Sequence, residues 1–172
     1  MLTREYKSPC GRLLLGVHGS GLCLCDWMVD GRIESSLRRL RKYMDEWARD
    51  DGSVLERAAA CLDEYFAGER EEFDIPLLMW GTPFQMQVWQ ALMAVPYGTT
   101  VPYLRMARDI GRPSAVRAVA NAIGTNPVSV IVPCHRVVGG DGSLTGYAGG
   151  LEAKQYLLDL EKGGTAVCVN CH

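Results

Sequence analysis

Cys134 and His135 are the residues with the clearest capacity for chemistry. They follow Ile131-Val132-Pro133, a short apolar stretch that the sequence predicts as a strand, and precede the turn Gly139-Gly140-Asp141-Gly142. A thiolate is the reactive form of cysteine, and a neighbouring imidazole can take the thiol proton. Adjacent residues of an extended strand point to opposite sides, so the pair needs a bend or a bridging water to cooperate. The plain alternative is a buried, inert cysteine beside a packing histidine. A third group comes from periodicity. Leu151 to Lys162 reads as the last helix, ended by Gly163-Gly164, and Glu161 stands four residues beyond Leu157 and three beyond Leu158. A carboxylate on that apolar stripe is partly buried and needs a partner. His135 can be that partner, in a Glu161–His135–water–Cys134 relay that orients the imidazole and favours the thiolate. The alternative is a solvated Glu at a fraying helix end.

The elements that must carry these groups are legible around them. Thr82-Pro83-Phe84-Gln85 is a capping box with Pro at the first helical position, and Phe84, Val88, Leu92 and Val95 continue it as an apolar stripe until Pro96-Tyr97-Gly98. Two short helices follow, Pro102–Ile110 and Ala115–Ile123, joined by Gly111-Arg112-Pro113 with Ser114 as the second N-cap, a helix-turn-helix pattern. In the second, Val116, Val119, Ala120 and Ile123 are expected inside. Arg117 and Asn121 fall on another face beside the small Ala118 and Ala122, which would let the helix approach a groove closely. An Ala-rich packing helix has the same pattern. In the first half, Ser8-Pro9-Cys10-Gly11 suits a turn, and Arg12–His18 and Leu22–Met28 read as a hairpin across Gly19-Ser20-Gly21. Residues 34–49 and 54–67 read as helices, the second closed by Gly68, and Phe73 to Leu78 as an extended connection. The boundary falls near Gly81, giving domains 1–80 and 81–163 and a tail, 164–172.

At 172 residues, 48% hydrophobic and 22% charged, the chain can bury a core. No run approaches the ~18–20 apolar residues of a membrane span, and Arg4, Glu5 and Lys7 make Met1–Ser8 unlike a signal peptide. A cytoplasmic protein is expected. The net charge of -2 argues against a nucleic-acid binder, but the halves differ: residues 1–80 hold 11 Lys/Arg and 15 Asp/Glu, residues 81–172 hold 7 and 5. Arg105, Arg108, Arg112 and Arg117 face only Asp109 in their stretch, and a local basic surface can hold a polyanion. The seven cysteines are odd in number and do not suggest a disulfide framework. Cys168-Val169-Asn170-Cys171-His172 has the spacing of a c-type haem attachment; that tail, or Cys10, His18, Cys23 and Cys25, offers zinc-type ligands, but the spacing matches no standard site. No metal or cofactor is expected.

Pro133-Cys134-His135-Arg136-Val137-Val138, with Arg117-Ala118-Val119 and Asn126-Pro127 before it and Gly146-Tyr147-Ala148-Gly149-Gly150 after it, resembles the O6-alkylguanine-DNA alkyltransferases, the methylated-DNA–protein-cysteine methyltransferases. Phe84-Gln85-x-Gln87-Val88-Trp89 and Pro96-Tyr97-Gly98-Thr99-Thr100-Val101-x-Tyr103 are similar to that family too; the first eighty residues match at Ser8-Pro9-x-Gly11 and Glu64-Tyr65-Phe66-x-Gly68. The resemblance implies a ribonuclease-H-like α/β domain on a small antiparallel sheet, then a mostly α domain with a winged-helix-like helix-turn-helix. It implies that Cys134 accepts the alkyl group, that His135 and Glu161 activate it, and that Asn126 is a hinge. By the same resemblance Tyr103 and Arg117 extrude the nucleotide, and Ser114, Ala118, Asn121 and Ala122 meet DNA in the minor groove. Ala148 N–H, Lys154 and Tyr103 would serve the leaving guanine, in a pocket with Val137, Tyr147 and Ile123, where the carbonyls of Cys134 and Val137 accept from its amino group. Ala120 departs from a frequent Gly and Ser129 from an occasional Pro. The expected activity is single-use repair of O6-alkylguanine, and of O4-alkylthymine, in double-stranded DNA by a monomer. A Cys-His-Glu thiol hydrolase and a lesion sensor without transfer are the alternatives; the latter lack the acceptor cysteine.

Overall fold

The computed structural model describes residues 1–44 and 51–163. Three strands, β1 (Leu2–Ser8), β2 (Gly11–His18) and β3 (Gly21–Trp27), form an antiparallel sheet in sequence order. The turn at Ser8-Pro9-Cys10-Gly11 joins β1 to β2, with Ser8 Oγ donating to the Gly11 carbonyl at 2.6 Å. β1 was not expected. It is an edge strand whose side chains are exposed apart from Tyr6 and, in part, Ser8, so it carries little apolar alternation and is held by backbone pairing, Tyr6 opposite Leu13. α1 (Arg32–Leu40) lies against β3, and α2 (Gly52–Phe66) packs across the sheet with Leu55, Ala58, Leu62 and Tyr65 buried. The helix expected over 34–49 is shorter than its pattern: it stops at Leu40, its last core residue, and Tyr43 stacks on Trp80 at 6.3 Å between centroids. The remainder of that expectation, 45–49, lies outside the described residues.

The second half is helical. α3 (Pro83–Met93) begins at the expected capping box, with Gln85 N donating to Thr82 Oγ1 and Thr82 N to Gln85 Oε1. α4 (Tyr103–Asp109) and α5 (Val116–Gly124) make the helix-turn-helix, and α6 (Leu151–Glu161) closes the fold. A two-residue parallel ladder, β4 (Val101–Pro102) with β5 (Val137–Val138), was not legible in sequence; it sets the start of α4 beside the Cys134 segment.

The halves share one apolar core. The free edge of β3 is covered by the second half: Cys25 N donates to Pro127 O and Ser129 N to Cys25 O. Beside this seam Asp26 is fully buried. It accepts from Arg32 Nε at 2.7 Å, Ser36 Oγ at 2.8 Å and Ser129 Oγ at 3.3 Å, while Arg32 also reaches the carbonyls of Gly124 and Asn126. Burial pushes the Asp26 carboxyl up, and the Arg32 charge pulls it back. Arg32→Leu should therefore cost about 3 kcal/mol in denaturant unfolding at neutral pH, because it strands a buried carboxylate. The loss should shrink as the pH falls, since a protonated Asp26 needs no cation. An unchanged unfolding midpoint would show that the pair adds nothing.

Candidate active site

The segment that ends at Cys134 is built by one amide. Asn126, fully buried, donates from Nδ2 to Val132 O at 2.9 Å and accepts from Val128 N at 3.0 Å. This folds residues 127–133 into consecutive turns, with Val130 at φ 71°, a conformation that a β-branched residue rarely holds. The strand expected over Ile131-Val132 is thus replaced by turns, and Cys134 starts a 3₁₀ turn, Cys134–Arg136. That turn is the bend the adjacent Cys and His require.

Glu161 gathers five donors. Its Oε1 accepts from His135 Nε2 at 2.7 Å, Tyr65 Oη at 2.7 Å and Arg136 Nη2 at 2.9 Å; its Oε2 accepts from Arg136 Nε at 2.9 Å and Gly98 N at 3.1 Å. Gly98 has φ 72°, and a Cβ there would meet the Glu161 carbonyl at 3.0 Å, so a glycine is what permits this approach. Burial alone pushes the Glu161 carboxyl up, but the bonds and charges of His135 and Arg136 outweigh it and hold it at about 2. Burial lowers the His135 imidazolium against the pull of Glu161, so the ring is neutral at neutral pH and the permanent cation is Arg136. An ionised Glu161 fixes the tautomer: Nε2 carries the hydrogen and Nδ1 keeps its lone pair. His135 Nδ1 is buried and has no hydrogen-bond partner among the described residues.

Cys134 is 5% exposed. Burial pushes its thiol up, while Asn126, Arg32 and Lys154 pull it down less strongly. The raised thiol is protonated at neutral pH, so the thiolate that the relay would favour forms as the proton is taken up. It lines a small cavity of ≈ 40 Å³ together with Tyr103, Ala120, Ile123, Gly124, Tyr147 and Ala148. Trp27 of the first half packs against the lining residue Tyr147, its ring edge-on at 5.9 Å; a Cβ on Gly149 would lie 2.5 Å from it.

The other expected residues divide. Tyr103, Ile123, Tyr147 and Ala148 come together at Cys134. Lys154 does not line the cavity. It is fully buried and donates to Val137 O at 2.6 Å and Thr145 O at 2.9 Å, which makes it a brace and takes up one lone pair of Val137. Cys134 O likewise accepts from Val137 N. Arg117, Ala118 and Asn121 are exposed on one side of α5. Ala122 is not with them: the residue is 4% exposed and its carbonyl accepts from Trp89 Nε1. Ala120, expected inside, opens on the cavity instead. Ser114 is exposed but is not the N-cap; the turn Arg112–Ala115 moves the start of α5 on by one residue, with Ala115 at the cap.

Arg136 and Tyr65 are the site residues that sequence reasoning missed. An Arg inside the apolar run Ile131–Val138 signals a buried pair, and that signal was available. Tyr65 gave none, since a Tyr on the inner face of α2 reads as core. Among the described residues no group of three or more His, Cys, Asp or Glu could hold a metal, and no helix is long and apolar enough to cross a membrane. The zinc and haem readings of Cys168, Cys171 and His172 fall outside those residues.

Residues 1–79 match the 6-O-methylguanine DNA methyltransferase ribonuclease-like domain, and residues 83–163 match the DNA binding domain of the same family. The methylated-DNA–protein-cysteine methyltransferase of Mycobacterium leprae (strain TN) is 47% identical over 159 residues, covering 92% of this chain and 91% of that protein. The inducible enzyme of that name from Bacillus subtilis (strain 168) is 51% identical over 126 residues, 68% of this chain and 70% of its own. In three dimensions the chain is similar to the crystal structure of Mycobacterium tuberculosis OGT in complex with DNA, with a TM-score of 0.79, 44% identity and coverage of 94% and 92%. With both halves matched and a relative this similar along almost its whole length, the chain belongs to the 6-O-methylguanine DNA methyltransferase family.

Proposed function

We propose that the protein repairs DNA by direct reversal, moving the alkyl group of O6-alkylguanine, and of O4-alkylthymine, in double-stranded DNA onto Cys134. The observation that carries this reading is the placement of Cys134 in a cavity beside the exposed face of α5, with His135 oriented by Glu161 behind it. The O6 atom lies on the pairing edge of the base, so the nucleotide must leave the stack before sulfur can reach it. Arg117, exposed on α5, would fill the gap, and Tyr103, at the start of α4, would crowd the adjacent phosphate. The small Ala118 and the amide of Asn121 allow that face to lie close in the minor groove.

The thiol proton passes through a water to His135 Nδ1 as sulfur attacks the alkyl carbon. The S–C bond forms, the C–O6 bond breaks, and the electron pair goes to the guanine oxygen. Ala148 N–H and the Tyr103 hydroxyl meet that charge. The net change puts the alkyl group on sulfur and the thiol hydrogen on guanine. The product is an uncharged thioether with no leaving group, so each molecule acts once. The protein acts as a monomer in this reading, and a cytoplasmic setting suits a thiol acceptor.

The deciding experiment is incubation with a duplex oligonucleotide bearing labelled O6-methylguanine, followed by mass mapping. Transfer should saturate at one methyl group per protein, on Cys134. Sustained release of methanol or free base would instead mark a thiol hydrolase, and binding without transfer a lesion sensor.

A further inference from the structure

Tyr65 belongs to the sheet-packing helix α2 of the first half, 96 residues away from Glu161 in sequence, yet its hydroxyl lies 2.7 Å from the Oε1 that also holds His135 Nε2. The ring is fully buried among Phe66, Phe73 and Tyr97, at centroid distances of 5.3, 5.3 and 6.2 Å. Packing alone would be served by phenylalanine, as it is at 66 and 73. A buried hydroxyl is costly without a partner, and here the partner is a carboxylate. We propose that Tyr65 is a positioning residue of the relay: its hydroxyl shares the charge on Glu161 Oε1 with His135, and so sets how readily His135 takes the Cys134 proton.

The chemistry follows from which groups compete for one oxygen. An ionised carboxylate only accepts, so Tyr65 donates. Burial and then Glu161 push the Tyr65 phenol well above its ordinary range, which keeps it a donor. With the hydroxyl gone, the charge on Oε1 concentrates on the bonds from His135 and Arg136. The imidazolium is then better stabilised, and His135 becomes a stronger base that is protonated already at higher pH. A protonated His135 cannot accept the thiol proton. The titratable and charged groups that face the pair are Arg136 from the 3₁₀ turn, Tyr147 before α6, its ring edge-on to His135 at 6.4 Å, Lys154 from α6, Tyr97 after α3 and Tyr65 itself. Of these only Tyr65 comes from the first half, which gives that half a direct hold on the reactivity of the second.

This inference rests on the relay reading above, and the test separates the two. Single-turnover transfer is followed against pH with free O6-benzylguanine, which needs no DNA, in the full-length protein, Tyr65→Phe and His135→Ala. In parallel, ¹⁵N-histidine NMR follows the His135 ring through the same titration, independently of activity. In Tyr65→Phe the acid limb of the rate should move up by about one pH unit, a loss of up to roughly tenfold on that limb, with the alkaline plateau within about twofold of the parent. The His135 resonances should shift in step. Placing 3-fluorotyrosine at position 65 keeps ring and hydroxyl and strengthens the donor, so limb and resonances should move down; this arm decides the matter if Tyr65→Phe does not fold. Unmoved limbs and resonances, or an equal loss at every pH, would overturn the proposal and leave Tyr65 a packing residue. If His135→Ala keeps the parent rate at neutral pH, the relay falls and the proposal with it; if it slows transfer while the Tyr65 variants leave the limb in place, only the proposal falls.

Discussion

In His135→Ala, methyl transfer near neutral pH should fall about 100-fold, at the lower end of what a positioned acid–base group contributes. Cys134→Ser should lose transfer at every pH. The reason lies in the resting state of the sulfur. Burial holds the Cys134 thiol above its usual range, so little thiolate exists at pH 7 and the proton must have somewhere to go as the bond forms. His135 Nδ1 is the buried acceptor with nothing else to bind among the described residues. As the pH rises past the raised thiol value, solvent hydroxide takes over. The His135→Ala loss should therefore shrink only well above pH ~8.5, the ordinary thiol value. A serine hydroxyl is barely ionised over the same range, so Cys134→Ser gains nothing there. Duplex binding should survive in both variants, since neither side chain reaches the surface. The measurement is single-turnover rate against pH, with folding checked by circular dichroism. A His135→Ala variant with the parent rate at pH 7 would make His135 a packing residue.

Arg117→Ala should slow repair of duplex substrate by roughly 10- to 100-fold, the equivalent of losing about 1.4–2.7 kcal/mol of help with unstacking. Reaction with free O6-benzylguanine should stay within about twofold of the parent. The side chain is exposed on α5, away from the Glu161 network, and it is the base that must be drawn from the stack that creates the need for it. Parent binding to duplex should weaken steeply with salt because phosphate contacts release counterions. Equal losses on both substrates would assign Arg117 to the fold or the cavity instead.

Much of this was written in local patterns. The capping box at Thr82 and the burial of Glu161 beside Leu157 and Leu158 follow from short-range rules. Misreadings arose where the deciding contact is distant or where residue type says little. Alanines do not declare a face, so Ala120 and Ala122 were exchanged until Trp89 claimed the Ala122 side. Ile131 and Val132 look like strand residues, but the Asn126 amide satisfies the backbone there and turns win. β1 pairs through its backbone while showing charge to water, which removes the alternation a reader seeks. Lys154 carries a charge that suggests reactivity, and its surroundings use it as a brace. The links across the halves, Arg32 to Asn126 and Tyr65 to Glu161, join residues 94 and 96 positions apart, a range at which periodicity is silent.

The seam between the halves also bears on dosage. A catalyst present in excess hides a modest loss of folded molecules, because the survivors turn over more often. A single-use acceptor has no such reserve, and its capacity equals the number of molecules with the seam closed. Arg32 on the carbonyls of Gly124 and Asn126, Tyr65 on Glu161 and Trp27 against Gly149 all hold the acceptor from the first half. A substitution there that never touches DNA lowers the ceiling on lesions removed per cell in direct proportion to the molecules it opens. Inherited or engineered variation at the seam should accordingly read out as copy number rather than as rate.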